Sequence, residues 1–349
     1  MTAPDRLQME SIASAGILAP SADNRHTCQF EFAAGGIRLW EADECRQAPF
    51  HRRILAMISY GAMAENMCVF ARSLGFHTHV SWFPHAADRR LVCVLSFERD
   101  HAGSDGLAAE IPKRCTNRRF FRGPKMPAEE QRAFDAELVN LPRVRLIWLD
   151  DSGPRHRALR LIRIAEAERF SNRCLHQDLF ASIRFDLDWQ TTASEGLAPG
   201  SLEVEWLLRN AFRSLRHWSV MRALKLAGAH WLLSLRAAEL PSRFSPHLGL
   251  LATTSDLEHG TFEIGRALER IWLRATALGL AFQPLAASTL LALDGYEEVT
   301  QEVRVTLAEG WRKIAPGCLP LMVFRAGRSR PPRVRSGRLE LERYLVKET

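Results

Sequence analysis

The residues with the clearest chemical potential are Arg114-Cys115-Thr116-Asn117-Arg118-Arg119-Phe120. In an extended or turning segment alternate side chains point the same way, so Arg114, Thr116 and Arg118 can converge on one point. Two guanidinium forks and a hydroxyl would cradle a phosphate, because charge-assisted bidentate bonds are strong and geometrically demanding. Spacing alone leaves a basic surface turn as the competing reading. A second string, Ala19-Pro20-Ser21-Ala22-Asp23-Asn24, has the composition of a loop. Its backbone N–H groups, hydroxyl and amide could read the polar edge of a flat heterocycle, or it is simply a capped turn. Gln283-Pro284-Leu285 follows an apolar helical stretch, and composition assigns it no role.

Positioning such groups requires a frame, and the chain contains one pattern twice. Gly61, Glu65, Ala71, Leu74 and Gly75 recur at the same spacing as Gly265, Glu269, Ala275, Leu278 and Gly279, with apolar residues between them at helical intervals. Each copy follows a short apolar run with a nearby aspartate (37–43 and 248–256) and precedes another apolar run (91–97 and 318–324). The expectation is an α+β chain of two related halves, residues 1–110 and 111–349. Residues 54–74 read as a helix apolar on most faces. Residues 30–32 and 37–40, joined through Gly35-Gly36, read as a hairpin, and 77–83, 91–97 and 144–149 as strands. Pro127 is expected at the first position of a helix. Between about 151 and 246 the pattern changes to helices at 157–170, 202–216 and 220–235, with no counterpart in the first half. That stretch reads as a helical insertion whose Trp189, Trp206 and Trp218 are read as core residues, with contacts of a lid as the alternative.

With 349 residues, 46% of them hydrophobic, the chain can bury a substantial core. No stretch approaches the ~20 apolar residues that span a bilayer, and the polar, acidic N-terminus does not read as a secretory signal. A cytoplasmic protein with no membrane partner is expected. Seven cysteines, odd in number and never in C-x-x-C, argue against a disulfide framework and against a metal site. The net charge of +7 is carried almost wholly by arginine, and the C-terminal tail at 325–349 is the densest region, with Arg325, Arg328, Arg330, Arg333, Arg335 and Arg338. Such a run suits phosphate, nucleic acid or an acidic partner, or is a basic solvated tail. No helix-turn-helix, RNP-like or zinc pattern accompanies it, so nucleic acid is not the expected partner.

The order of A-P-S-x-x-N near the start, the repeated G-x3-E helices, R-x-T-N-R and the C-terminal basic segment resembles the nitroreductase family of FMN flavoproteins. More narrowly it is similar to their tandem single-chain, Acg-like branch. The resemblance implies a nitroreductase-like fold in which two halves of one chain form an intramolecular pseudo-dimer with one FMN site. It implies that Arg114, Thr116 and Arg118 hold the FMN phosphate, with Asn117 a neighbour and Arg333 and Arg335 reaching the same group. Pro20, Ser21, Ala22 and Asn24 would approach the isoalloxazine and ribityl chain. The backbone around Gln283, Pro284 and Leu285 would lie near flavin N5, where an N–H stabilises the reduced ring. Family members usually continue Gln-Pro-Trp after the asparagine, whereas this chain has His26-Thr27-Cys28. Cys28 and Cys115 read as buried small hydrophobes rather than redox groups.

The implied activity is that of an FMN-dependent NAD(P)H oxidoreductase. NAD(P)H is the reductant, and a flat, electron-poor small molecule is the electron acceptor. The flavin carries the chemistry, so no catalytic side chain is required. A monomeric pseudo-dimer or a homodimer satisfies the resemblance. Two other readings stand beside it: a protein that sequesters FMN under a lid formed by the insertion, and a flavin-free basic interaction protein.

Overall fold

The computed structural model describes residues 3–85, 87–100, 103 and 106–346. The chain divides into two compact units, neither of them continuous in sequence. Met1–Arg114, Thr261–Ala277 and Arg338–Thr349 form one; Cys115–Gly260 and Leu278–Gly337 form the other.

The first unit opens with α1 (Arg6–Ile17), whose N-terminus is closed by a reciprocal pair: the Asp5 side chain accepts from the Gln8 N–H and the Gln8 side chain from the Asp5 N–H. There follow β1 (Cys28–Ala33), β2 (Gly36–Glu41), a short α2 (Asp43–Arg46), the long α3 (Phe50–Ser73), β3 (Phe76–Trp82) and β4 (Leu91–Arg99). The strands form an antiparallel sheet of order β1-β2-β4-β3. Its inner face, with Phe30, Ile37, Leu39 and Leu95, packs with Ile12 of α1 and Met63 and Met67 of α3 in one core. By length and hydropathy α3 is long and apolar enough to cross a bilayer, which corrects the expectation that no segment is. Yet 72% of its apolar window is buried within the protein, as in a core helix.

The second unit runs through α4 (Ala128–Ala136), β5 (Val144–Trp148), α5 (Ser152–Ser171), α6 (Arg173–Ala181), α7 (Arg209–Ser214), α8 (Trp218–Leu226), α9 (Ala229–Ser234) and α10 (Leu240–Arg243). It continues with β6 (His247–Thr253), the start of α11 (Leu257–Ala277), β7 (Ala281–Leu285), α12 (Ala287–Leu290), α13 (Gln301–Ile314) and β8 (Leu319–Gly327). The sheet order is β5-β6-β8-β7, again antiparallel and strand for strand the order of the first sheet. In each sheet the repeated helix, α3 or α11, connects the second strand to the third. Even an irregularity recurs: the register slips between Leu39 and Trp40 where β2 meets β4, and between Leu251 and Ala252 where β6 meets β8. The α+β expectation is met.

The insertion is helical, but its two later helices are shorter than the apolar periodicity suggests. Residues 202–216 yield only the six-residue α7 after 3₁₀ turns, and Gly228, at φ 77°, ends α8 before α9 starts. Phe170, Phe180, Ile183, Leu197, Leu215 and Met221 give this region its own small core. Trp218 packs edge-on to His176 at 5.3 Å, but Trp206 is 73% exposed, which corrects its reading as a core residue. Pro127 precedes α4 as its cap rather than entering its first turn.

The Thr261–Ala277 stretch of α11 lies in the first unit, against α3. A Cβ on Gly61 would sit 2.2 Å from the Phe262 carbonyl oxygen, and one on Gly265 2.0 Å from that of Ile58. Ile58 and Phe262 occupy equivalent places in the two copies, as Gly61 and Gly265 do. The contact is therefore reciprocal, as at a two-fold interface between identical subunits.

Candidate functional site

Beyond Ile17 the last carbonyls of α1 have no partner inside the helix. Cationic side chains take three successive ones. Arg338 donates from Nε to Ile17 O at 3.0 Å and from Nη2 to Ala19 O at 2.9 Å; Arg114 donates from Nη2 to Leu18 O at 2.5 Å. Positive charge is favoured there by the helix dipole. The loop at 19–24 then turns through Asp23 and Asn24, both left-handed (φ 54° and 58°), a conformation that Asp and Asn tolerate better than other L-residues. Arg52 pairs with Asp23, and Arg338 donates from Nη1 to the Asn24 side-chain oxygen. Pro20, Ser21 and Ala22 are half-buried in the same loop. The Ser21 hydroxyl is buried without a hydrogen-bond partner among the described residues.

Arg114 stacks over the Trp272 ring at 4.5 Å, and its side chain is 4% exposed. Its Nε lies 3.0 Å from Oε1 of the fully buried Glu269, an ion pair by distance that lacks the alignment of a hydrogen bond. Burial pushes the Glu269 carboxyl up to about 7, only partly opposed by Arg114, Arg338 and Asn66. Burial, and then the neighbouring Arg114, push the Arg338 guanidinium down to about 10. His26, taken down to about 3 by burial and by Arg338, stays neutral, with Nε2 2.9 Å from Ile17 O. Two buried guanidiniums thus face one carboxylate that gives up its charge near neutrality. Clustered buried guanidiniums and an unused hydroxyl fit an oxyanion such as a phosphomonoester. Pro20, Ser21, Ala22, Asn24 and Arg114 are brought together here. Arg338 was legible only as one arginine of a basic run.

The equivalent glutamate behaves oppositely. Glu65 receives Arg266 Nε at 2.7 Å and Arg270 Nη1 at 2.8 Å. Burial alone would raise its carboxyl, but the two guanidiniums override it and hold it below the usual range.

The other expected residues belong to the second unit. Thr116 bridges Phe282, and the Asn117 N–H donates to Phe282 O at 3.0 Å, so this segment runs along the outer edge of β7. The Asn117 side chain donates to Arg330 O at 2.8 Å and accepts from the Arg119 N–H at 3.0 Å, shaping the turn. Arg118 donates to Ser201 O at 3.1 Å. Glu203 accepts from Arg119 Nε at 3.0 Å and from the Arg333 N–H at 2.7 Å, and the Arg335 carbonyl accepts from the Thr192 hydroxyl at 2.5 Å. The insertion therefore holds Arg118, Arg119 and the stretch at 333–335. Gln283 accepts from Arg325 Nε at 2.7 Å. Arg325 is fully buried over the Phe121 ring, so the C-terminal arginines are not one solvated patch. Because Phe282 turns its carbonyl outward, Pro284 faces outward too, while Gln283 and Leu285 face β8. A proline there loses no ladder bond, and the outward edge at 283–285 offers a carbonyl and no N–H.

After the asparagine, the Thr27 carbonyl accepts from the Tyr60 hydroxyl at 2.7 Å. Cys28 is buried in β1, where desolvation raises its thiol far above the ordinary value; it is a packing residue.

No family model matches the chain, and no curated protein does. Among solved structures, it is similar to iodotyrosine deiodinase bound to FMN and 3-iodo-L-tyrosine: 14% identity, 67% of this chain and 95% of that one, TM-score 0.38. It is also similar to NfnB, an FMN-dependent nitroreductase of Mycobacterium smegmatis in complex with NADPH (18% identity, 69% and 96% coverage, TM-score 0.36). A Bacteroides fragilis nitroreductase with bound FMN is similar at 13% identity, 70% and 94% coverage and TM-score 0.31.

Proposed function

We propose that this chain is a flavoprotein of the nitroreductase type, folded as a tandem pseudo-dimer, that binds FMN in the cytoplasm and acts on a small molecule. The observation that carries the reading is the buried cluster of Arg114, Arg338, Asn24 and Ser21, which fits a phosphate and lies in the segments the sequence resemblance names. Arg114 and Arg338 would hold the phosphate, the Asn24 amide nitrogen and the Ser21 hydroxyl would add donors to it, and Pro20 and Ala22 would wall the adjoining ring system. Thr116, Asn117, Arg118, Arg333, Arg335 and the edge at 283–285 enter this proposal through the resemblance. The reciprocal glycine contact between α3 and α11 supports the pseudo-dimer. When bound, FMN would supply a hydride acceptor at N5, with NAD(P)H as reductant and an electron-poor acceptor as oxidant.

A second reading, FMN binding without turnover, is favoured by the edge at Pro284, which presents no N–H where a reduced flavin would draw on one. The test is an absorption spectrum of the purified protein followed by anaerobic addition of NADPH and NADH. Flavin bands that bleach support the oxidoreductase. Bands that persist support the sequestering protein. A colourless protein that takes up no added FMN overturns both.

A further inference from the structure

Glu269 is a buried carboxylate in contact with the candidate phosphate ligand Arg114, and nothing in the oxidoreductase reading requires it. It reaches Arg114 from α11, at 3.0 Å but out of hydrogen-bond alignment. The groups that act on it most strongly are Arg114 at the end of its segment, Arg338 from the C-terminal segment, and Asn66 and Glu65 from α3. Glu65 is already committed to Arg266 and Arg270, so it adds only repulsion. A carboxylate placed against the arginine meant for an anion does two things. It holds the guanidinium in position, and it competes for it.

We propose that Glu269 is the positioning residue for Arg114 and competes with the bound phosphate for it, so that anion binding is coupled to protonation of Glu269. This rests on the FMN reading above. When a dianionic phosphate engages Arg114 and Arg338, a charged Glu269 would lie beside it in a desolvated site, where like charges repel strongly. The carboxylate relieves this by taking a proton from the buffer acid in solution, which is left as its conjugate base, and becoming a neutral acid. Its carboxyl is already raised to about 7 by burial, so the proton costs little near neutrality. With one proton taken up per phosphate bound, affinity falls about tenfold for each pH unit above that value.

The experiment is calorimetric titration of the full-length protein with FMN at about pH 6 and about pH 8, in buffers of different ionisation enthalpy. At about pH 8 the free phosphate monoester is already doubly ionised, so protons taken up come onto the protein. The expected result is uptake approaching one proton at the higher pH and affinity roughly tenfold weaker there. Glu269→Gln should bind FMN with neither uptake nor that pH dependence, while riboflavin, which lacks the phosphate, should show no uptake with either protein. Where Glu269→Gln does not fold, the wild-type comparison of FMN with riboflavin at the higher pH decides alone. FMN binding without proton uptake, or equal uptake by folded Glu269→Gln, overturns this inference and leaves the flavin reading standing. Failure of the wild type to bind FMN at either pH overturns both.

Discussion

Glu65 and Glu269 hold the same position in the two copies of the repeat, are both buried, and titrate in opposite directions. The difference is in their partners: two well-aligned guanidiniums for Glu65, one misaligned ion pair for Glu269. Each therefore leaves its own mark on stability. The folded-state value of Glu65 is depressed, so its contribution is present above the ordinary carboxylate value and lost as pH falls through the folded value. That of Glu269 is raised to about 7, so its contribution is present below the ordinary carboxylate value and lost as pH rises towards 7. Thermal melts over this range should show a decline towards neutrality in the wild type that flattens in Glu269→Gln. An unchanged pH profile would contradict the burial argument. Also at this scale, Arg338→Ala should weaken FMN retention by about 2 kcal/mol, roughly thirtyfold, the loss of charge-assisted bonds. Arg335→Ala, which keeps the backbone carbonyl that accepts from Thr192, is the comparison. Equal loss in both would return the phosphate to the arginines that the resemblance names.

At the scale of elements, much of the fold was legible because alternation and turn chemistry are local. The hairpin of β1 and β2 follows from apolar runs on either side of Gly35-Gly36, and the two apolar copies became α3 and α11. The start of α3 was missed because Phe50-His51-Arg52-Arg53 is polar enough to hide the helical period, and α8 and α9 were merged because their apolar residues run across Gly228. Arg338 was illegible for a different reason. Its partners Ile17, Ala19 and Asn24 lie at the far end of the chain, and composition does not rank one arginine among six. The repeat glycines show what a local reading supplies without its cause: they recur because α3 and α11 touch through them. Alanine at Gly61 or Gly265 would gain up to about 1 kcal/mol of helix propensity. Its Cβ, however, would fall 2.2 or 2.0 Å from a backbone oxygen that has no rotamer to move. Overpacking of that kind costs about 1–3 kcal/mol or more, so each substitution should lower the melting temperature. A neutral or raised melting temperature in both would show that the helices do not meet there.

For the whole molecule, the decisive fact is that the first unit is closed by segments the chain supplies late. Thr261–Ala277 and Arg338–Thr349 belong with Met1–Arg114. Without them, α3 would expose the face around Gly61, Glu65 would be a buried carboxylate stripped of Arg266 and Arg270, and the carbonyls after α1 would lose Arg338. An apolar helix of 24 residues, uncovered, is an aggregation hazard rather than a stable core. A polypeptide ending at residue 110, where the repeat in the sequence suggests that the first half stops, should therefore fail to melt cooperatively and should be recovered mainly as aggregate. Supplying residues 257–349 as a separate chain during refolding should restore soluble, cooperatively melting material. A soluble fragment of residues 1–110 with a sharp thermal transition of its own would show that the late segments decorate the first unit instead of completing it. The reciprocal contact of the two repeat helices would then be a consequence of the fold and not one of its supports.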